Sequence, residues 1–158
     1  MFTSSCKTIK KTDCLNIDSL IKSTITSINN RNTENYIDNI DFDKIERIWV
    51  ESGGKDPSKL EILEYIKNRS NLIEMFSTSY NIMIQTIEKI HKLKDWKFDL
   101  ESYEQIDKEK DDNLSTLKYN LKLKDNLGNK WNMIIYIVEH KDCYYSIEPF
   151  DANKFTKG

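Results

Sequence analysis

Apolar positions along this chain change period once. From Leu15 to about Lys94 they return every three or four residues, the spacing of a helix face; from Lys97 to Phe150 they alternate, the spacing of a strand. The stripe Ile17, Leu20, Ile21, Thr24, Ile25 and Ile28 predicts a helix over 16–30, with Asp13 or Asn16 as its cap. The polar run NNRNT ends it, because Asn side chains satisfy turn backbone groups locally. Two short helices follow. One covers 33–40 with Tyr36, Ile37 and Ile40 facing inward; the other covers 42–50 with Phe42, Ile45, Ile48 and Trp49 on one side, stopped by Gly53 and Gly54. Pro57 fits the first turn of the next helix, and Ser58 with Glu61 matches a capping box. The stripe then runs on to Ile90 with a pause at 67–71. One helix from 57 to 94 would be about 55 Å long, too long for a compact domain of this size. The pattern therefore predicts a break near Asn68–Asn71 and two helices, 57–67 and 71–94.

The alternating half predicts a meander. Strand 97–106 has the weak pattern of an edge, and 107–113 reads as a charged hairpin loop. In strand 115–124, Leu117, Tyr119, Leu121 and Leu123 face one way and Thr116, Lys118, Asn120 and Lys122 the other, as in an antiparallel sheet covered on one side. Strand 131–139 is apolar on both faces and reads as central; strand 143–149 stops at Pro149, which cannot donate to a ladder. The expected fold class is α+β: N-terminal helices packed on a curved C-terminal antiparallel sheet of about four strands. A single domain over 13–158 follows a flexible polar leader, 1–12. The stripe Ile73, Phe76, Tyr80, Met83, Ile87 and Ile90 should meet Leu117, Leu121, Met133, Ile135 and Ile147 across an apolar layer, because either stripe alone would expose too large a patch. A pocket, where one exists, is expected at the open end near Trp131 and Tyr145.

Composition narrows the partners. The net charge is −2, with both signs mixed along the chain, and Lys outnumbers Arg by 21 to 3. No clustered basic face is visible, so nucleic acid is not an expected partner. A single Ala against 21 Ile and 15 Asn reflects AT-rich coding and so ancestry rather than function. No apolar run approaches the roughly 18 residues of a membrane span. The one route to a membrane is Cys6. The segment FTSSCK resembles the end of a bacterial lipoprotein signal, in which Cys6 would be lipidated and the protein held in the periplasm or at the outer membrane. Only five residues precede Cys6, where such a signal needs a charged start and an apolar stretch; the other reading is a cytoplasmic protein with an ordinary thiol at Cys6. A Cys14–Cys143 bridge would suit an exported protein, while the simpler expectation for Cys143 is a buried thiol at the start of a strand.

Candidate chemistry is sparse. With only His91 and His140, histidine metal sites and triads are nearly excluded. His91 falls at a helix end, where the dipole favours a cation. His140 and Cys143 are near in sequence, but no third group orients them. Asp38, Asp41 and Asp43 lie in DNIDFD, which lacks the turn Gly and closing Glu of a calcium loop, so they read as caps. Asp99, Glu139 and Glu148 are strand positions with nothing to single one out. Four Gly residues in no phosphate-cradling pattern argue against a nucleotide. No catalytic residue, metal or cofactor is expected. The aromatics Tyr119, Trp131, Tyr136, Tyr144 and Tyr145 are the candidate ligand or interface residues, against the alternative of ordinary cross-strand packing.

Two stretches, SLIKSTITSINNRNTENYIDNID and GNKWNMIIYIVEHKDCYYSIEPF, resemble the opening helices and the closing hairpin of nuclear transport factor 2-like domains, the SnoaL-type, cystatin-like α+β cone. The resemblance implies a curled sheet wrapped around a long helix. It also implies one of several roles, since the family hosts isomerases, dehydratases, ligand carriers and protein-binding modules. In its enzymes a carboxylate or His projects into an apolar cavity. The expected function is a non-enzymatic binding or protein-interaction domain of a bacterial, envelope-anchored protein, its partner a protein, a small apolar ligand or a second copy in a homodimer. The alternatives are an immunity-type or regulatory protein that blocks a partner, and a small-molecule pocket enzyme of the SnoaL type.

Overall fold

The computed structural model describes residues 14–53, 60–92, 95–111, 114–146 and 150–158. The polar leader with Cys6, the Pro57–Ser58 capping signal and Ile147–Pro149 lie outside the described residues. Among the described residues five helices precede the sheet: α1 (Ile17–Asn30), α2 (Thr33–Asp38), α3 (Phe42–Gly53), α4 (Leu60–Lys67) and α5 (Arg69–His91). Asn side chains delimit three of them. Asn16 caps α1 by accepting from Ser19 N, Asn32 caps α2 by accepting from Asn35 N, and Asn68 caps α5 by accepting from Ser70 N. The Asn68 cap is the expected break in the long stripe. The second helix closes two residues early, at Asp38, and the third runs on to Gly53 rather than residue 50.

The sheet is antiparallel and has five strands: β1 (Phe98–Asp111), β2 (Leu114–Asp125), β3 (Lys130–His140), β4 (Cys143–Tyr145) and β5 (Phe155–Lys157). The order is β1-β2-β3-β4, and β5 pairs with the other end of β3 through Trp131↔Lys157 and Met133↔Phe155. Strand β3 is thus central, as its two apolar faces predict. Strand β1 departs from expectation. It continues through the stretch read as a loop, pairing Asp107 with Lys118 and Asp111 with Leu114. Bulges leave Glu101 and Ile106 out of the ladder, and no described strand pairs with its outer edge. The fifth strand is too short to show an alternation, which is why the pattern predicts four.

One buried cluster joins Ile21, Ile25 and Ile28 of α1 and Phe76, Tyr80, Met83 and Ile87 of α5 to Leu117, Leu121, Met133, Ile135 and Ile137 of the sheet. The apolar layer between the long helix and the sheet is therefore present. A smaller cluster lies where β3 turns its other face to α3: Val138 packs with Ile48 and Leu114. The β2–β3 turn is held by Asp125. Its Oδ1 accepts from Leu127 N and Asn129 N, and its Oδ2 accepts from Asn129 Nδ2 and Trp131 Nε1 at 3.0 Å. Burial alone would raise this carboxyl, but the four donors outweigh it and hold Asp125 below the usual carboxylate range.

The largest correction concerns the cysteines. Cys143 is not a buried thiol; it is half-exposed and forms a disulfide with Cys14, with Cα atoms 5.1 Å apart across a sequence separation of 129. Beside it Tyr144 N donates to Leu15 O at 3.2 Å. Closing a loop of this length removes unfolded-state entropy worth about 5 kcal/mol in the chain-entropy model.

Two predictions follow from these ties. Replacing both cysteines (Cys14→Ser with Cys143→Ser) should lower the urea unfolding free energy by about 2–5 kcal/mol; an unchanged midpoint and slope would show that the bridge adds nothing. Asp125, ionised more readily in the folded state than in the unfolded, contributes stability above the ordinary carboxylate pKa of about 4. That contribution is lost as pH falls through its lower folded value. Asp125→Asn should therefore cost about 1–3 kcal/mol at pH 7 and flatten the acid limb of the stability–pH curve. A parallel acid limb in mutant and wild type would contradict the assignment.

Candidate functional site

A cavity of about 500 Å³ opens between α1, the α2–α3 link and β4. Three stretches of sequence build its rim, and Phe76 of α5 joins them as a fourth. The first is α1, where Ser19, Ser23 and Ser27 recur every four residues and so stand in one row beside Leu20 and Thr24. Thr24 Oγ1 is turned back to Leu20 O at 2.9 Å. The second runs from Tyr36 to Ile45 and supplies Asp38, Asn39, Ile40 and Asp41. The third supplies Tyr144, Tyr145, Ser146 and Phe150, with Leu15 alongside. The Cys14–Cys143 disulfide and the Leu15–Tyr144 hydrogen bond fasten the first stretch to the third.

The buried wall is aromatic. Tyr36 stacks on Tyr80 with centroids 4.4 Å apart, and Phe150 lies 5.4 Å from Tyr36. Phe76, fully buried, completes this wall and meets Phe42 edge-on at 5.6 Å. Tyr80 donates its hydroxyl to Ser27 O at 2.6 Å. Tyr36 differs. It is 8% exposed, yet its hydroxyl forms no hydrogen bond among the described residues. Burial, and after it the Tyr80 phenol, push its pKa far above the ordinary tyrosine value, so it stays a neutral donor and acceptor.

Carboxylates stand on one side of the cavity. Asp41 caps α3, its Oδ1 accepting from Lys44 N at 3.0 Å. Asp38, exposed at the end of α2, has neither an ion pair nor a hydrogen bond through its side chain among the described residues. The described lining contains no Lys, Arg or His. Lys44 Nζ lies 5.0 Å from the ring centre of Tyr145, one of the lining residues.

The five aromatics singled out from the sequence do not share one patch. Tyr144 and Tyr145 line the cavity. Tyr119 and Trp131 are buried in the core. Tyr119 meets Tyr103 at 5.9 Å, and Trp131 stacks on Phe155 at 5.3 Å. Tyr136 lies on the opposite face of the sheet, with Lys154 Nζ 4.0 Å from its ring centre. The cavity therefore opens at the Tyr145 end of β3 and not near Trp131, which pairs at the far end of that strand. His140 ends β3, buried, with Nε2 3.2 Å from Glu51 Oε2. Its neighbour Cys143 has its sulfur committed to the disulfide, so the two form no thiol–imidazole pair. The lipidation candidate Cys6 lies outside the described residues. The serine row on α1 was readable as a spacing; the meeting of that row with Tyr36 and Phe150 was not.

No helix among the described residues is long and apolar enough to cross a membrane. Comparison with protein families, with characterised proteins and with solved structures found no match to this chain.

If the Tyr36 hydroxyl faces the cavity rather than a protein partner, Tyr36→Phe should shift the unfolding free energy by less than about 1 kcal/mol. Phe76→Ala, in the same wall, should cost about 3–5 kcal/mol. Denaturant titration of both variants tests this, and a loss near 3 kcal/mol for Tyr36→Phe would mean that the hydroxyl is tied into the fold.

Proposed function

We propose that this chain is a non-enzymatic binding domain of a bacterial envelope protein, and that the cavity between α1, the α2–α3 link and β4 takes a small, largely apolar ligand. The cavity carries this reading: about 500 Å³ is in the range of small-molecule sites, which combine apolar and aromatic walls with a few polar groups. The Cys14–Cys143 bridge supports a location outside the reducing cytoplasm, because such bonds form and persist in oxidising compartments. A lipid anchor at Cys6 belongs to the same proposal. So does the likeness to nuclear transport factor 2-like ligand carriers, which shares with this chain helices placed before an antiparallel meander. The enzyme alternative draws less support, since the described lining lacks His and its Asp38 carboxylate is open to water.

The test is a neutral apolar fluorophore. N-phenyl-1-naphthylamine added to the oxidised protein should brighten saturably at one site per chain, with micromolar affinity. Ser23→Trp, which fills the cavity from the exposed face of α1, should abolish that signal without lowering the melting temperature. Absence of saturable binding, or binding indifferent to Ser23→Trp, would overturn the proposal.

A further inference from the structure

The charge and hydrogen-bonding character of the cavity specify more than an apolar guest. We infer that its ligand is an organic ammonium ion: a small apolar or aromatic body carrying a protonated amine. This rests on the cavity being a ligand site, as proposed above.

Three observations converge. The first is charge. Asp38 and Asp41 both line the cavity, and no Lys, Arg or His lines it among the described residues. Asp38 has no side-chain partner there, and Asp41 uses only Oδ1 to cap α3. An anionic guest would meet two carboxylates and no cation. Lys44 Nζ lies over the Tyr145 ring at 5.0 Å. That ring face therefore already carries a cation in the free protein. The second observation is the aromatic surface supplied by Tyr36, Phe76, Tyr144 and Phe150, whose ring faces attract cations and whose area shelters an apolar body. The third is Tyr36, more than nine-tenths buried in the cavity wall with an unpartnered hydroxyl. A primary ammonium has three donors and no acceptor. The lining answers with acceptors: two carboxylates, the Tyr36 oxygen and the row of serine hydroxyls on α1.

Three near-isosteric probes separate charge from shape: phenethylamine as the cation, 2-phenylethanol as the neutral form and phenylacetate as the anion. Each competes with N-phenyl-1-naphthylamine on the oxidised protein at pH 7 and low salt. Phenethylamine should displace the fluorophore at about tenfold lower concentration than 2-phenylethanol, with phenylacetate weakest. Asp38→Asn with Asp41→Asn should bring the amine to the level of the alcohol measured on the same variant. Asn at 41 keeps the helix cap. Asp38→Asn alone, at an exposed position, should weaken the amine about threefold with no change in melting temperature. Equal displacement by amine and alcohol, or preference for phenylacetate, overturns the ammonium assignment while the binding reading stands. Failure of the fluorophore itself to bind removes both.

Discussion

Nearly the whole described chain lies inside one covalent loop. The Cys14–Cys143 bond joins the residue ahead of the first helix to the start of the fourth strand, and only the short tail with β5 lies beyond it. The turn that presents Cys143 is tight: Lys141 and Asp142 both adopt positive φ, at 52° and 61°, as a two-residue hairpin between β3 and β4 requires. Neither is glycine, and each such residue costs about 1–2 kcal/mol. The strained turn persists because the disulfide on one side and the β3 ladder on the other determine it. The same two attachments hold Leu15 against Tyr144. The lip of the cavity is therefore fastened covalently as well as by packing.

The core explains why this lip can be open at all. Strand β3 is served from both edges and both faces. It takes β2 along one side, β4 and β5 on the other, α5 beneath Met133 and Ile135, and α3 against Val138 and His140. Cohesion is concentrated in the middle of the sheet and along α5. The first three helices then need to cover only part of the sheet's end, and the space they leave is bounded by polar residues of α1 and the α2–α3 link. Tyr80 marks the join: its ring belongs to the core and its hydroxyl to α1, through Ser27.

Much of this architecture was legible in the order of residues. The 3.6-residue stripes located all five helices, the pause at Asn68 separated α4 from α5, and the alternation of Leu117 to Leu123 fixed which side of β2 is wet. What failed was long-range or compensated by pairing. The charged run after Ile106 reads as a loop, yet its backbone pairs with β2, whose Leu114, Ser115 and Leu117 there are buried. Phe155 looks like an isolated apolar residue in the tail and is in fact the anchor of β5, stacked on Trp131. The cysteine partners stand 129 residues apart, a distance over which no spacing rule operates. The cavity was hidden for the same reason: its residues come from four stretches that only tertiary packing brings together. Of the aromatics with site potential, Tyr144 and Tyr145 line the cavity, while Tyr119 lies in the core on the face that alternation gives it with Leu117, Leu121 and Leu123, and Trp131 is buried against Phe155.

The outer edge of β1 bears on how this molecule meets others. More than half of the residues in that long strand are charged, and its ladder is interrupted twice, at Glu101 and Ile106. A neighbouring strand approaching this side would find its hydrogen-bond register broken within a few residues and its side chains facing alternating Glu, Asp and Lys. Growth of the sheet from molecule to molecule is therefore blocked at the end where it would begin. Copies of the protein brought together along this edge would stay separate rather than template one another into fibres.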